Sequence, residues 1–571
     1  MKQILRPILL LLLFGCPYKL YSQRFDQKKL EETLSRAIEK AYPASVRIWG
    51  YDVTRQMQTS GQFSGVVVSA EGHILTAAHV SVPNKTYKVM FPDGTTCIAR
   101  GLGKIEFADN KTIPDVAMMK ISGRGKWPYA EMGYSSALKK DEPCISIAYP
   151  ESLNQSLPTV RFGHIADLKN KLGFIQSTCI MEPGDSGGPL FDVSGRVIGL
   201  HSAIDVPESD NFEIPVDLYR KYWTALNTPE TYTSLPATED RLESDPFTGD
   251  IPVIHGLEKI ESNFKELAAQ CRGNSFQIKS QVKGTIQNVQ GTLFSMEGIS
   301  LKGRFKNNSI LISKNSMVGE MPVLELDGHQ IAATVVARDK ENDLVLLYTT
   351  VKMEGGISPG VLNADTLSFK QLGKFLISPL SDQTYKIGVL GSLEFSLQKI
   401  TSSAYLGADV ELKQGWVTIT GLKPNSPASD SKLKTGDQVL AIDGLPIDSQ
   451  LDYTRALQRH WPDDQITIKL LRADSAGGKD VTLLKEVVLA TRPPMHFNHP
   501  AELFEGGKSI RRDGFERVFS DDTRLLPEQC GGPVFDTAGH FYGINISRFS
   551  RVSSIVIPAD VISRFIKQWV E

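Results

Sequence analysis

The sequence predicts a mainly β fold that is divided among several domains. At 571 residues the chain is long enough for three or four domains of ordinary size. Short runs of alternating apolar residues, separated by Gly, Asp and Asn turns, are typical of β-strands in barrels and sandwiches. In addition, a set of motifs in the first half recurs in the second half, which indicates that one β architecture is used twice.

The charge balance argues against one class of partner. The chain carries 63 Lys and Arg residues against 65 Asp and Glu residues, a formal net charge of −2. A strongly basic chain would point to nucleic acid, and this one does not. We therefore expect a soluble, folded protein with no nucleic-acid partner.

Residues 1–22 are predicted to be an export signal. Lys2 and Arg6 precede an apolar run at 8–14, which is too short to span a bilayer but fits a secretory signal. Two routes of processing stay open: cleavage after Ser22, or lipidation of Cys16, because LFGC at 13–16 resembles a bacterial lipobox. Either route predicts a protein of the bacterial periplasm or cell envelope, or a secreted one, with a lipid anchor in the second case.

A helix is predicted over residues 23–42. Apolar side chains recur three and four positions apart, which places them on one face of a helix. We expect this face to pack on the domain that follows or on a neighbouring subunit. The residues that define the pattern are Phe25, Leu30, Leu34, Ala37 and Ile38.

Three motifs carry a serine, a histidine and a carboxylate. They are HILTAAH at 73–79, DVA at 115–117 and GDSGGP at 184–189. A serine hydroxyl is a poor nucleophile at neutral pH, so an imidazole must take its proton and later return it to the leaving group. A buried carboxylate then orients the imidazole and stabilises its charged form. These needs predict Ser186 as nucleophile, His79 as general base and acid, and Asp115 as the orienting carboxylate.

The glycines beside Ser186 have a predicted role of their own. They let the backbone turn sharply enough for the amides of Gly184 and Ser186 to point at one spot, where an oxyanion would form. No metal or organic cofactor is needed for this chemistry, and none is expected.

Residues 43–225 resemble the trypsin-like domain of the HtrA/Deg family, and the chain order His, Asp, Ser is that of the chymotrypsin-like serine proteases. The resemblance implies a domain at 43–227 with two six-stranded barrels and the triad in the cleft between them. It also implies that Ser202 lies behind the triad and that the strand at 199–204 pairs with the substrate. The matching segments are 64–68, 72–79, 115–117, 183–191 and 197–201.

The primary substrate pocket has one candidate determinant. His201 lies in a Gly-x-His segment that also occurs in glutamate-specific and viral chymotrypsin-like proteases, and it would favour an acidic or amide side chain before the scissile bond. The alternative is a histidine that only packs in its strand. No Asp stands six residues before Ser186, so a preference for Lys or Arg is not expected.

The cysteines predict free thiols. Five remain once the signal is removed, an odd and scattered set that does not fit a disulfide framework. They are Cys97, Cys144, Cys179, Cys271 and Cys530.

Residues 228–272 are predicted to connect the two halves. The stretch 228–252 is rich in Thr, Pro, Asp and Glu, as a linker is, and a helical pattern follows at about 256–271.

The second half repeats the motifs without the chemistry. NSILISKN at 308–315 corresponds to 72–79, NDLVL at 342–346 to 114–118, and PEQCGGPVFD at 527–536 to 183–192. Asn315 thus replaces the histidine and has no proton-accepting nitrogen near neutral pH, whereas Asp343 is retained. Cys530 replaces the serine, and without a base it would be a sluggish nucleophile. We therefore predict a degenerate protease domain at 273–402 and 493–571, with residual chemistry at Cys530 as the alternative.

Residues 403–492 resemble a PDZ domain inserted into this second copy. The resemblance lies in YLGA at 405–408, GLKPNSPA at 421–428 and LKTGDQVLAIDG at 433–444. PDZ domains add a peptide C-terminus to a sheet edge, and the Leu406-Gly407 loop would cap its carboxylate. The alternative is a PDZ fold whose groove is occupied or that serves as a spacer. HtrA enzymes usually append this domain to the active domain, whereas here it is inserted into the degenerate one.

Two functions are consistent with these patterns. The first is an exported serine endopeptidase of HtrA/Deg type that cleaves unfolded or damaged proteins in protein quality control and binds C-terminal peptides at the PDZ domain. The second is a peptide-binding regulator whose proteolysis is gated or negligible. HtrA relatives are trimers, but the segment that builds that interface is not recognisable here, so a homo-oligomer is left open.

Overall fold

The computed structural model describes residues 27–570 apart from 108–112, 248, 250–263, 267, 296–308, 327, 359–366, 474–478 and 494–497. The predicted signal segment and Cys16 lie outside the described residues. Strands dominate the described part, so the mainly β class is confirmed. No helix in these ranges is long and apolar enough to cross a membrane.

The chain enters the fold through helix α1, Gln27–Ala41, which falls within the helix predicted from the sequence. A sheet follows in the order β13-β5-β4-β1-β2-β3-β6, and it closes because β5 also pairs with β6. A short parallel strand from the predicted linker, β13, adds to its edge. The strands are β1 Ser45–Asp52, β2 Met57–Val67, β3 His73–Ala77, β4 Thr86–Met90, β5 Thr96–Glu106, β6 Asp115–Ile121 and, later in the chain, β13 Thr231–Tyr232.

A second barrel completes the first half. It is closed in the order β10-β11-β12-β9-β8-β7, and two short helices, α2 and α3, follow it. The elements are β7 Pro143–Ala148, β8 Thr159–Asp167, β9 Ile175–Ser177, β10 Pro189–Asp192, β11 Val197–Ile204, β12 Asn211–Pro215, α2 Val216–Lys221 and α3 Trp223–Leu226.

The first sheet of the second half repeats this order of strands. It runs β18-β17-β14-β15-β16-β20-β19, so that β17-β14-β15-β16-β20 matches β4-β1-β2-β3-β6. Of the helix predicted at 256–271, residues 264–266 and 268–271 are described and are helical. The strands are β14 Ser275–Val282, β15 Thr285–Phe294, β16 Ser309–Lys314, β17 Val323–Leu326, β18 His329–Ala332, β19 Thr334–Asp339 and β20 Leu344–Thr349.

A smaller domain interrupts the last sheet of the second half. It has a sheet in the order β25-β26-β27-β29-β30, and its first and last strands, β24 and β31, pair with each other. The elements are β24 Ala404–Tyr405, β25 Ala408–Lys413, β26 Trp416–Leu422, α4 Pro427–Asp430, β27 Gln438–Ile442, β28 Leu445–Pro446, α5 Gln450–Gln458, β29 Gln465–Arg472, β30 Val481–Val488 and β31 Ala490–Thr491.

The last sheet is assembled from both sides of this insertion. Its order is β22-β21-β33-β34-β35-β32-β23, which matches β8-β7-β10-β11-β12-β9 of the first half. A C-terminal helix, α6, follows. The elements are β21 Phe375–Pro379, β22 Tyr385–Val389, β23 Phe395–Leu397, β32 Phe515–Asp521, β33 Pro533–Asp536, β34 Phe541–Arg548, β35 Ser554–Pro558 and α6 Ala559–Val570.

The two halves share one apolar core. Leu34 and Ile38 of α1 belong to the same buried cluster as Phe375 and Leu390 of the second half. The helix is also hydrogen-bonded to that half, because the Phe375 amide donates to Glu31 Oε1 over 3.3 Å. Burial of so many apolar side chains in one cluster fixes the two halves side by side.

Candidate active site

His79 and Asp115 are joined at the cleft of the first half. His79 lies in the turn after β3, and Asp115 is the first residue of β6, the strand that pairs with β3. Asp115 Oδ2 lies 2.8 Å from His79 Nδ1, and Asp115 Oδ1 accepts the His79 backbone N–H over 2.9 Å. Ser202 donates a third hydrogen bond to the carboxylate over 2.6 Å. The imidazole is thereby oriented with Nε2 free to face a substrate.

The electrostatics of the pair suit a general base. Burial opposes charge on the imidazole, but the hydrogen bond and the negative charge of Asp115 outweigh it and raise the pKa of His79. Burial likewise acts against the charged carboxylate of Asp115, and the bonds from His79 and Ser202 overcome it and lower its pKa. Asp115 therefore stays ionised while His79 titrates.

Ser186 and His79 line one pocket. This pocket has a volume of about 300 Å³ and is also lined by His201, Ser202 and, from the second half, His499. Among the described residues, no hydrogen bond joins the Ser186 hydroxyl to His79. Such bonds are often long or absent before substrate binds.

The turn before Ser186 leaves two amides unused. The Pro183 carbonyl accepts the Glu151 N–H over 2.8 Å, so the trans peptide directs the Gly184 N–H the opposite way. Within the described structure, neither the Gly184 amide nor the Ser186 amide donates a hydrogen bond. Gly184 has φ +96°, and a Cβ there would lie 2.6 Å from the Tyr149 carbonyl oxygen, so the turn requires glycine. Unused amides beside a serine are the donors that an oxyanion hole needs.

A buried ion pair that the sequence analysis missed supports this turn. Arg161 of β8 donates two hydrogen bonds to the Asp185 carboxylate, over 2.6 and 2.7 Å, and both side chains are buried. Such a bidentate pair fixes the orientation of both groups. Asp185 lies between the two oxyanion amides, so Arg161 positions the peptide that carries them. The one signal in the sequence was an Asp in a segment otherwise built of small residues.

His201 is fully buried behind the pocket wall. Its Nε2 lies 2.6 Å from Ser146 Oγ, and its Nδ1 lies 3.8 Å from Glu213 Oε1 without a hydrogen bond. Burial, with a contribution from Arg161, holds the pKa of His201 well below its usual value, and burial raises the pKa of Glu213 well above its own. The imidazole of His201 is therefore neutral near pH 7. A role of His201 in specificity stays a prediction, and it would act as a neutral imidazole.

The backbone around Cys530 in the second half makes hydrogen bonds that match those of the backbone around Ser186. Cys530 O accepts Gln290 N over 3.0 Å, as Ser186 O accepts Ser64 N, and Gly531 N donates to Asn545 O over 2.6 Å. In the first half the matching bond runs from Gly187 N to His201 O over 2.7 Å. Cys530 therefore occupies the position of Ser186.

The side chains at the second site differ from those of the first. Asp343 accepts a 2.6 Å hydrogen bond from the buried Lys314 Nζ, and Asn315 Oδ1 accepts one from Arg338 over 2.7 Å. Cys530 is buried, which raises the pKa of its thiol. Its backbone N–H donates to the Pro527 carbonyl over 3.3 Å, so this amide is occupied whereas that of Ser186 is free.

The predicted carboxylate loop of the PDZ segment opens onto an edge strand. Leu406 is buried and Gly407, with φ +82°, precedes β25, the edge of its sheet. Two carbonyls of this edge are occupied by side chains of α5: Tyr453 Oη donates to Ala408 O over 3.0 Å, and Gln450 Nε2 to Val410 O over 2.6 Å. A peptide strand would have to replace at least one of these bonds.

Two further observations concern groups that the sequence analysis considered. The five cysteines of the described chain are free thiols. In the same ranges, no group of three or more His, Cys, Asp or Glu side chains is arranged to hold a metal ion.

The chain resembles known proteins both in single domains and over most of its length. A model of the trypsin-like peptidase domain matches residues 63–200, and a model of the PDZ domain matches residues 404–485. A probable periplasmic serine endoprotease, described as DegP-like, from Pseudomonas savastanoi pv. phaseolicola is 31% identical over 467 residues, which cover 79% of this chain and 85% of the relative. The chain therefore belongs to the HtrA/DegP family of serine proteases. The predicted class, a serine-type endopeptidase with a PDZ domain, is confirmed at the level of the family.

Other matches are partial. Serine protease HTRA1 of Xenopus laevis is 32% identical over 199 residues, which cover 33% of this chain and 42% of that protein. The chain thus spans less than half the length of the HTRA1 relatives that it matches. A solved structure, the HtrA-type protease AlgW with a tripeptide, is 17% identical to this chain. The match covers 81% of this chain and 98% of that chain, with a TM-score of 0.29.

Proposed function

We propose that the protein is an exported serine endopeptidase that cleaves unfolded or damaged polypeptides. The observation that carries the proposal is the combination of an oriented His79–Asp115 pair with two unused amides at Gly184 and Ser186, beside a pocket that His79 and Ser186 line. Membership of the HtrA/DegP family supports the same activity.

The geometry supports one sequence of proton transfers. His79 takes the proton of the Ser186 hydroxyl as the oxygen attacks the scissile carbonyl, and Asp115 stabilises the imidazolium that forms. The amides of Gly184 and Ser186 donate hydrogen bonds to the developing oxyanion. His79 then gives its proton to the leaving amine, and the acyl group is released by water in the reverse order of steps.

The second half is proposed to be a pseudoprotease that serves as scaffold. Lys314 holds the carboxylate that a catalytic base would need, and Arg338 holds Asn315. Burial raises the pKa of the Cys530 thiol, and the backbone amide of Cys530 already donates to the Pro527 carbonyl. These contacts support a site without nucleophilic chemistry.

Export and peptide binding complete the proposal. The DegP-like relative is named as periplasmic, and the basic and apolar N-terminus is consistent with the same location. The PDZ domain would bind the C-terminal peptides of substrates or regulators along β25, since PDZ domains bind peptides by strand addition. Anchoring at Cys16 and assembly into a homo-oligomer are left open.

Two observations favour the alternative, a peptide-binding regulator with gated proteolysis. In the described residues the Ser186 hydroxyl is not bonded to His79, and the edge of β25 is partly occupied by α5. Both features fit a protein at rest that a peptide switches on.

Hydrolysis of casein by the mature protein tests the proposal. The Ser186→Ala and Cys530→Ala variants are the matched pair, because these residues occupy equivalent positions in the two halves. We expect activity and labelling by diisopropyl fluorophosphate to be lost only in Ser186→Ala. Loss in Cys530→Ala alone would move the active site to the second half, and stimulation only after a C-terminal peptide is added would favour the gated regulator.

A further inference from the structure

A loop beside the catalytic pocket is held by the other half of the chain. Residues 205–210 connect β11 with β12 and continue directly from the pocket-lining segment 201–204. Two arginines of the second half, Arg548 and Arg551, lie against this loop. They are named here the arginine clamp.

Arg551 contributes most of the hydrogen bonds. Its guanidinium donates to the carbonyls of three successive residues of the loop, Asp205 over 2.8 Å, Val206 over 3.3 Å and Pro207 over 2.7 Å. The side chain has 0% exposure, so its charge is removed from water. A buried guanidinium needs such acceptors, and the planar fork fixes the carbonyls that it contacts.

Arg548 adds an ion pair to the same loop. Its Nη2 lies 2.9 Å from Glu208 Oε1, and the arginine is 1% exposed while Glu208 is 17% exposed. The same nitrogen donates to the Arg551 carbonyl over 2.6 Å, so the two arginines are coupled to each other. Four consecutive residues of the loop, 205–208, are thereby fixed by the second half.

The clamp also reaches other residues of the pocket wall. Arg551 Nη1 donates to the Pro500 carbonyl over 3.2 Å, and the preceding residue, His499, lines the pocket with His79 and Ser186. Ser550, between the two arginines, acts on Glu182 of the pocket wall, where it lowers the pKa of a carboxyl that burial raises. One short stretch of the second half therefore contacts three parts of the pocket wall.

We propose that the arginine clamp positions the substrate pocket, so that the second half completes the catalytic pocket of the first within one chain. The inference rests on the proposed function of the first half. Arg548 and Arg551 are positioning residues, because they act through the loop 205–208 and through His499 and do not contact the reacting atoms. Loss of the clamp would loosen substrate binding while the triad stays intact.

The test compares Arg551→Ala with a matched control, Arg517→Ala. Arg517 also forms two ion pairs, but with Glu394 and Asp560 inside the second half. Steady-state kinetics on a fluorogenic peptide that spans a casein cleavage site separate KM from kcat. For Arg551→Ala we expect KM to rise by about tenfold or more, as a misplaced binding element does, with kcat less affected. Labelling of Ser186 by diisopropyl fluorophosphate should proceed at the wild-type rate, and Arg551→Lys should recover only part of KM.

Two further measurements keep the outcome decisive. If Arg551→Ala does not fold, Glu208→Gln carries the kinetic test, because it removes the ion pair and leaves both arginines in place. Amide hydrogen exchange of 205–210 should be faster in Arg551→Ala or Glu208→Gln than in Arg517→Ala, whether or not the protein hydrolyses casein. Wild-type protein that is inert to both casein and the fluorophosphate contradicts the proposed function. Unchanged KM and unchanged exchange in folded variants overturn the clamp.

Discussion

His79 shows how a single hydrogen bond sets the working range of a site. Its imidazole is 39% exposed and would have an ordinary pKa of about 6.5 in water. Burial of the ring alone would lower that value, but the hydrogen bond and charge of Asp115 raise it. Only the neutral imidazole accepts a proton, so the pH dependence of proteolysis reports this balance.

We expect kcat/KM to rise with pH and to reach half its maximum above about pH 6.5, because the protonated fraction of His79 persists to higher pH than in a free histidine. In Asp115→Asn the midpoint should move to lower pH, since the charge that favours the imidazolium is gone, and the rate should fall by as much as about 10⁴-fold. The measurement is a pH series of peptide hydrolysis. A wild-type midpoint below that of free histidine would contradict this account of the pair.

Arg161 gives a prediction about stability. Arg161→Ala leaves the Asp185 carboxylate buried without its partner, which typically costs about 3–5 kcal/mol. Lys221→Ala is the control, because Lys221 and Glu239 form a solvent-exposed pair, and such pairs add little to stability. Urea unfolding followed by circular dichroism should separate the two variants clearly. Equal losses would mean that the buried pair adds no more than a surface one.

The residues of the site divide into those that the sequence predicted and those that it could not. His79, Asp115 and Ser186 stand in local motifs whose chemistry requires those residue types. Arg161 and Asp185 are 24 positions apart, and Arg548 and Glu208 are 340 apart, with no local pattern that links them. Such pairs depend on how barrels pack, which the period of a strand does not specify.

At the scale of elements, the edge strand β25 has two competing sets of hydrogen-bond partners, the side chains of α5 and an added peptide strand. It is the exposed edge to which a peptide would add, yet α5 side chains already bond to two of its carbonyls. The exchange of one of these bonds for a ligand bond yields little net free energy.

Gln450→Ala should therefore strengthen peptide binding. Removal of the Gln450 bond frees the Val410 carbonyl, and a change of about 0.5–1.5 kcal/mol, or about twofold to tenfold in Kd, is expected. Fluorescence anisotropy with a labelled peptide that has an apolar C-terminus measures it. Arg455→Ala, on the exposed face of the same helix, is the control. Weaker binding in Gln450→Ala would assign Gln450 to the ligand contact instead.

The strands and helix α1 could be predicted from local sequence patterns. Alternating apolar residues predicted the strands because each sheet buries one face, and spacings of three and four predicted α1. The pairing of β24 with β31 could not be predicted in the same way, because these two-residue strands carry too little pattern.

At the scale of the whole molecule, the PDZ domain is joined to the second half by its two adjacent chain ends and by a docking surface around Trp461. Ala404 pairs with Thr491, so the two ends of the insertion lie side by side. The domain docks on the second half through residues 461–464. Trp461 stacks under the guanidinium of Arg511 at 3.5 Å and donates a hydrogen bond to Glu341. Two ion pairs join the same surfaces, Asp463 with Lys283 and Asp464 with Lys340. The domain can thus be removed without a gap in the barrel.

A chain in which two glycines replace residues 404–491 should fold. We expect its basal casein hydrolysis to match that of Trp461→Ala, which keeps the domain but removes the Trp461 contacts with Arg511 and Glu341, because neither change touches the first half. Response to C-terminal peptides should be lost only in the excised chain. Circular dichroism melting and casein assays check both points, and an aggregated or inactive excised chain would show that the domain is part of the scaffold.

Because both halves belong to one polypeptide, the pocket should stay complete at low protein concentration. A pocket that is completed by a separate subunit comes apart as the protein is diluted, because the partner must be met in solution. Here the contact between Arg551 and the loop at 205–207 is intramolecular, so its effective concentration is set by the chain and not by the number of molecules present. Specific activity should stay constant down to very low protein concentration, and a lone molecule would carry a complete pocket.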